Sequence, residues 1–270
     1  MDHLTRLRQA FNLKPLDFIF GPDDPHYAAL TAFRDQQLQL LHNKPSLEKR
    51  PAGAPSDTYL HSLRVAEDVY NFAMYIGLPE HAADNLRWAV SLHDIGKLDV
   101  PVEILNKPGK LTDEEFKEMQ RHTEYGANRI QNSNIDHPII KLAVDIAKYH
   151  HERADGRGYY GMAGQDIPNR VRLVQLCDIY DAVSAPRAYR TNQEQLTPYE
   201  TMKNLLDPHG FLYDAVDQRF AIPFCLLKVN LLEGDLSKEH HKMLEHYLLD
   251  SEPFQDEDFW PSPDKIRILD

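Results

Sequence analysis

Cysteine is almost absent from this chain, and the two that occur, Cys177 and Cys225, form no paired motif. That sets aside disulfide frameworks and thiolate metal sites, and it points to a reducing compartment. No apolar run approaches the roughly 18 residues of a membrane span, and no apolar signal-peptide core opens the sequence. A cytoplasmic protein with no membrane partner is the expectation. Positive charge is also short, with 30 Lys and Arg against 42 Asp and Glu and a net charge of −12. An acidic balance of this size argues against a broad DNA, RNA or anionic-membrane surface. It leaves room for a small anionic ligand held by metals and a few arginines. The glycine-rich stretch Asp155-Gly-Arg-Gly-Tyr-Tyr-Gly161 lacks the flanking strand and helix of a phosphate-cradling loop, so a P-loop is not expected either.

What is present is ordinary in bulk. Hydrophobic residues make up 42% and charged residues 27% of 270, enough for one large or two small globular units. The periodic segments are helical throughout. Residues 1–55 read as a helical extension, with Leu4, Leu7 and Phe11 at helical spacing, a break at Gly21-Pro-Asp-Asp-Pro25 and a helix over 27–41. The main body is expected over 56–234, and a C-terminal helix with an acidic tail over 235–270. Within the body, Ser56 or Asp57 caps a helix running to about 76, with Leu60, Leu63, Val69 and Phe72 marking its apolar face. Thr112 and Glu115 form a capping box for a helix that carries Phe116, Met119 and His122. Pro138 starts another helix, and a strongly apolar one spans 170–183. Helices are also expected over 198–206, 214–230 and from Ser237 to about 249.

Metal-ligating residue types recur at the ends of these helices. His93-Asp94 closes a helix ending near residue 92. Adjacent side chains in a helix interior diverge by about 100°, whereas at a helix end the backbone turns and both can reach one ion. An aspartate can also bridge two ions through its two oxygens. Gly96 permits a turn that brings Lys97 back over the same place. Asp57 and His61 stand at i and i+4, on one helix face, a spacing equally common in exposed pairs. His150-His151 ends the helix begun at Pro138, as ligands or as a surface pair. Asp178 and Asp181 sit within the most apolar helix, where each carboxylate needs a cation or hydrogen-bond donors. Arg187 and Arg190 follow, suited to phosphate oxygens or simply solvated. His240, His241 and His246 read as exposed.

The order of these residues resembles one family. His61, His93-Asp94 with Gly96-Lys97, His122, His150-His151-Glu152, Asp155-Gly-x-Gly158-Tyr159 and Asp178-x-x-Asp181 follow the pattern of the HD-GYP family, as do Leu105-Asn-Lys-Pro-Gly-Lys-Leu-Thr112 and Arg187-Ala-Tyr-Arg190. The resemblance spans about 56–228. It implies an all-α HD-domain helical bundle and a phosphodiesterase that opens cyclic di-GMP, or a related cyclic dinucleotide, to linear pGpG and in some members on to GMP. It further implies His61, His93, Asp94, His122, His150, His151 and Asp178 as metal ligands, with Asp94 bridging and a hydroxide between the metals as nucleophile. Lys97 would assist at the phosphate, and Tyr159, Arg187 and Arg190 would contact the dinucleotide. Imidazole and carboxylate ligands without thiolates suit two ions of iron or manganese, with zinc or nickel as alternatives. The family's Gly-Tyr-Pro reads Gly158-Tyr159-Tyr160 here, which removes proline's fixed φ and makes a looser turn the expectation. The family implicates that turn in binding a signalling-protein partner as well. Three-metal members carry a glutamate where this chain has Asp57, one methylene shorter, so two ions rather than three are expected. Two other readings stay open: a low-turnover cyclic-dinucleotide receptor or partner-binding module, and another HD-superfamily enzyme such as a nucleotide phosphohydrolase or a di-iron oxygenase.

Overall fold

The computed structural model describes residues 20–45, 55–185 and 195–232. They form an all-α bundle, and among the described residues there is no strand. In chain order the helices are α1 (Tyr27–His42), α2 (Asp57–Tyr75), α3 (Glu80–Val90), the short α4 (Val102–Leu105), α5 (Asp113–Gln120), α6 (His122–Gln131), α7 (Pro138–Tyr149), α8 (Asn169–Ser184), α9 (Pro198–Leu206) and α10 (Gln218–Leu231). Single 3-10 turns lie at Ile95–Leu98, Gly164–Asp166 and Tyr213–Ala215. No helix among the described residues is long and apolar enough to cross a membrane.

Helix α2 organises one side of the bundle. The Ser56 hydroxyl accepts from the Tyr59 N–H and caps it. Its buried stripe is His61, Ser62, Val65, Ala66, Val69, Phe72 and Ala73, an i, i+4 progression that places a histidine on the core face. Leu60 and Leu63, expected on that face, are instead 38% and 37% exposed. The true stripe is drawn by small residues and a histidine, which weigh little in a count of large apolar side chains. Phe72 reaches across to Phe224 of α10, ring centroids 5.3 Å apart, and Tyr180 of α8 packs on the other side of Phe224 at the same distance. Full burial of a side chain such as Phe72 contributes about 1.5–3 kcal/mol.

Helix α8 runs through the centre and is buried on nearly every face. Among the polar residues it takes inside, Arg172 pairs with Asp217, which also caps α10 by accepting from the Arg219 N–H. That cap divides the segment expected as one helix over 214–230 into the 3-10 turn Tyr213–Ala215 and α10. A second division matters more. The helix opened by the Thr112 capping box stops at Gln120, and His122 begins α6 after the single residue Arg121 rather than lying within α5. Lys44, just past α1, donates to the Leu98 and Val100 carbonyls at 2.8 and 2.9 Å and so ties α1 to the 3-10 turn that carries Lys97. The C-terminal helix expected from Ser237, and the helical spacing expected in residues 1–19, lie outside the described residues.

Gly96 sets the distance between that 3-10 turn and α6. A Cβ added there would lie 1.9 Å from the His122 carbonyl oxygen and 2.3 Å from the Gly126 nitrogen, both backbone atoms that cannot rotate away. The glycine is therefore required by close approach, since its φ is not positive, and Lys97 does come back onto Asp94 as the turn expected from sequence implied. Gly96→Ala is expected to cost at least the ~1–3 kcal/mol typical of overpacking. Thermal denaturation checks this against Gly21→Ala, where a Cβ meets nothing within 4 Å and the midpoint should not move.

Candidate metal centre

Helix α3 ends at Val90, and the chain turns through Ser91–Asp94 before the 3-10 turn begins. In that turn the His93 and Asp94 side chains come together, with His93 Nε2 3.6 Å from Asp94 Oδ2. His61 arrives from α2, His122 from the first turn of α6, His150 and His151 from the end of α7, and Asp178 from the middle of α8. The seven side chains make two groups, Asp94, His122, His150 and His151 in one and His61, His93 and Asp178 in the other, with donor atoms within 4.8 Å of one another in each.

Asp94 joins the groups. Its Oδ1 lies 3.4 Å from His122 Nε2 and 3.7 Å from His150 Nε2, while its Oδ2 lies 3.6 Å from both His61 Nε2 and His93 Nε2. Lys97 Nζ donates to Oδ2 from the solvent side. Asp178 touches both groups as well, with Oδ1 2.9 Å from His61 Nε2 and Oδ2 4.0 Å from His151 Nδ1.

Four of the five rings are held from behind. His93 Nδ1 donates to the Val90 carbonyl at 2.9 Å, His122 Nδ1 to Met119 at 2.6 Å, and His150 Nδ1 to Ala147 at 3.0 Å. In each neutral ring the proton is thereby on Nδ1, and a lone pair on Nε2 points into the site. His61 Nδ1 is held at 2.6 Å by Asp181 Oδ2, and Asp181 is itself gripped by Arg64 through both oxygens. Burial pushes the His93 ring down to about 4 and the His122 ring down to about 3, so both are neutral at physiological pH. Burial would raise Asp94, but Lys97 and the surrounding histidines outweigh it and hold the carboxyl well below the usual range. For Asp178, likewise, hydrogen bonding to His61 and the neighbouring histidines overcome burial. Burial raises Asp181 too, and its bonds to His61 and Arg64 bring it to about 2.

These protonation states leave electron pairs facing electron pairs. His122 Nε2 stands 3.4 Å from Asp94 Oδ1, a lone pair against an ionised carboxylate. The buried His93 Nε2 and Asp94 Oδ1 have no hydrogen-bond partner. Each such orphan costs about 1–3 kcal/mol, a cost that a cation bound among the five converging elements would relieve. The donors therefore fit divalent ions, and His61, His93 and Asp178, together with Asp94, His122, His150 and His151, would hold them.

Other expected residues fall elsewhere. Asp57 lies one turn before His61 on α2 and belongs to neither group. Tyr159 lays its ring against His151, centroids 4.5 Å apart, and meets the edges of His122 and Phe116 at 6.2 Å. Arg187, Arg190, His240, His241 and His246 lie outside the described residues. Two contributors had no role assigned from sequence. Arg64 is one turn beyond His61 and anchors Asp181, a partner that only the packing of α2 on α8 reveals. Glu152 is fully buried and accepts from the Tyr160 and Met162 N–H groups, anchoring the turn that was expected to loosen without proline. Because Asp181 orients His61 without reaching the site, Asp181→Asn should leave helicity unchanged and weaken metal affinity by roughly 10–100-fold, measured by competition with a chelator.

Comparison with known proteins agrees with this geometry. The family model described as HD domain matches residues 37–215. The cyclic di-GMP phosphodiesterase PA4108 of Pseudomonas aeruginosa is 41% identical over 134 residues, which cover 49% of this chain and 32% of that protein. The 3'3'-cGAMP-specific phosphodiesterase 2 of Vibrio cholerae is 37% identical over 158 residues, covering 58% and 29%. The cyclic di-GMP phosphodiesterase of Thermotoga maritima is 39% identical over 135 residues, covering 50% and 36%. The chain thus spans about a third of the length of the curated relatives it matches. With the HD-domain match across 37–215 and the motif series from His61 to Asp178, the chain belongs to the HD domain family, in its HD-GYP branch.

Proposed function

We propose that this chain is a metal-dependent phosphodiesterase acting on a cyclic dinucleotide, cyclic di-GMP or a close relative such as a cyclic GMP–AMP. The observation that carries the reading is Asp94, whose two oxygens face two separate sets of imidazole nitrogens. The names of the relatives supply the substrate class, since both cyclic di-GMP and 3'3'-cGAMP phosphodiesterases are among them. Two ions fit the two donor groups; iron or manganese suits the all-imidazole and carboxylate set, ahead of zinc or nickel. A third ion finds no support at Asp57, which stands apart from both groups. Bound at this centre, the ions would supply charge to the phosphodiester oxygens and acidify a water at neutral pH.

The chain's own residues do the rest. Asp94 stays ionised and holds the two donor groups at fixed separation. Lys97 orients Asp94 and, being partly exposed on the solvent side, has further N–H groups to offer a phosphate oxygen or the departing 3′ oxygen. His151 is the most open of the ligands, at 29% exposure, and with Tyr159 against it marks the direction from which substrate enters. Arg187 and Arg190 are proposed to grip phosphates. The division into 1–55, 56–234 and 235–270 stands as part of the proposal, with chemistry confined to the middle unit.

Turnover of a panel of cyclic dinucleotides, with Mn(II) or anaerobic Fe(II) supplied, is the direct test. Linear product from at least one of them is expected, and metal-loaded protein that converts none would end the reading. Asp94→Ala should remain folded, retain less than half the metal and show no hydrolysis, whereas His240→Ala should alter neither. Arg190→Ala should keep its metal and bind dinucleotide about ten- to a hundredfold more weakly, the effect of losing a charged hydrogen bond of ~1.5–3 kcal/mol. Isothermal titration of the double Arg187→Ala, Arg190→Ala variant checks this; unchanged affinity would return both arginines to the surface.

A further inference from the structure

The Gly158-Tyr159-Tyr160 turn is built against the metal centre from two sides. On one side Glu152, fully buried, accepts from the Tyr160 N–H at 2.7 Å and the Met162 N–H at 2.6 Å, so both carboxylate oxygens are committed to the turn's backbone. Two peptide N–H groups held by one carboxylate at these distances fasten the turn at two points. Gly158 closes the remaining gap. A Cβ there would lie 2.5 Å from the Glu152 Cα and 2.8 Å from the His151 carbonyl oxygen, so the turn rests directly on the backbone of two consecutive site residues.

On the other side the anchor is the Tyr160 side chain. Its hydroxyl lies 2.9 Å from Thr123 Oγ1, in the residue that follows His122 on α6. Thr123 spends its own hydroxyl proton on the Gln120 carbonyl at 3.0 Å, so Tyr160 is the donor in the pair. The Tyr160 ring packs edge-on against Tyr149, 5.5 Å away, with the Lys148 ammonium over both rings. One residue thus ties the turn to α6 beside His122 and to the end of α7 just before His150. Tyr159 is held between these anchors, with its ring on His151.

We infer that Glu152 and Tyr160 form a positioning clip that fixes the Tyr159 ring over His151 as one wall of the substrate site. The inference rests on the phosphodiesterase reading for what the wall contacts, but the clip itself stands on geometry. A proline at 160 would have no N–H for Glu152 and no hydroxyl for Thr123, so this fastening belongs to the tyrosine-containing turn. Neither clip residue touches the reacting phosphate; both act through Tyr159.

Two measurements separate the clip from the function. Amide hydrogen exchange reads the clip without any substrate. The Tyr160 and Met162 amides should be protected in the metal-loaded protein, and Glu152→Gln, which replaces one acceptor by an NH2 group, should speed at least one of them tenfold or more while α6 amides stay unchanged. Exchange that does not respond overturns the clip. Steady-state kinetics with a cyclic dinucleotide reads its purpose. Tyr160→Phe, a mild change that keeps the ring and the N–H, should raise KM about three- to tenfold with kcat within twofold and metal content unaltered. In a Tyr159→Ala background the same change should have no further effect on KM, because the residue it positions is gone. Equal effects in both backgrounds, or an unchanged KM in Tyr160→Phe, would overturn the positioning role. A wild-type protein that turns over no cyclic dinucleotide overturns the phosphodiesterase reading instead, and the exchange result then still decides whether the clip exists.

Discussion

A buried carboxylate surrounded by the unprotonated faces of imidazole rings is the constraint on which this structure depends. Asp94 is 1% exposed and ionised, and the neutral His93 and His122 rings turn lone pairs toward it. Such an arrangement repels itself. Five elements are packed around it, and a cation of high charge would convert the repulsion into bonds. The unusual packing elsewhere follows from that need. Helix α8 carries Asp178 and Asp181 through the middle of the core, and α2 gives up part of its apolar face to His61.

The bundle is assembled around this centre rather than beside it. Gly96 lets the 3-10 turn touch α6, which brings Lys97 and His122 to opposite sides of Asp94. The division between α5 and α6 serves the same end. Placed at the start of a new helix, His122 has its Nδ1 satisfied by the Met119 carbonyl of the helix before, and its other nitrogen is free to face inward. Had α5 simply continued, its axis would have set the ring's direction.

Much of this was legible in the sequence, and the limits are physical. The residues that converge in the two donor groups were named through the family resemblance, whose pattern stands out because helix ends are marked by caps and prolines and histidines and acids at those ends are conspicuous. The Ser56, Thr112 and Pro138 helix starts were readable for the same reason. Helix α2 was assigned the wrong face in part, since Leu60 and Leu63 outweigh Ser62, Val65 and Ala66 in any count of apolar size. Arg64 and Glu152 carried no sequence signal of their role. Each acts on a partner brought near by tertiary packing or by the path of a turn: Asp181, 117 residues away, and the backbone of Tyr160 and Met162. Gly96 was read as allowing the turn that returns Lys97 to Asp94, and the turn is there; its close contact with the α6 backbone was not legible, because a contact between distant backbones leaves the same mark in a sequence as a turn.

Three of the five histidines owe their orientation to carbonyl groups three or four residues before them in the chain: Val90 for His93, Met119 for His122, Ala147 and Ile146 for His150. The instructions for aiming these three rings are therefore written locally, separate from the instructions for bringing the helices together, whereas His61 depends on Asp181 of a distant helix. A donor set wired this way is modular in evolution. One ligand can be exchanged for another without re-aiming its neighbours, so the same bundle can drift between metal ions, and between the chemistries they support, one residue at a time.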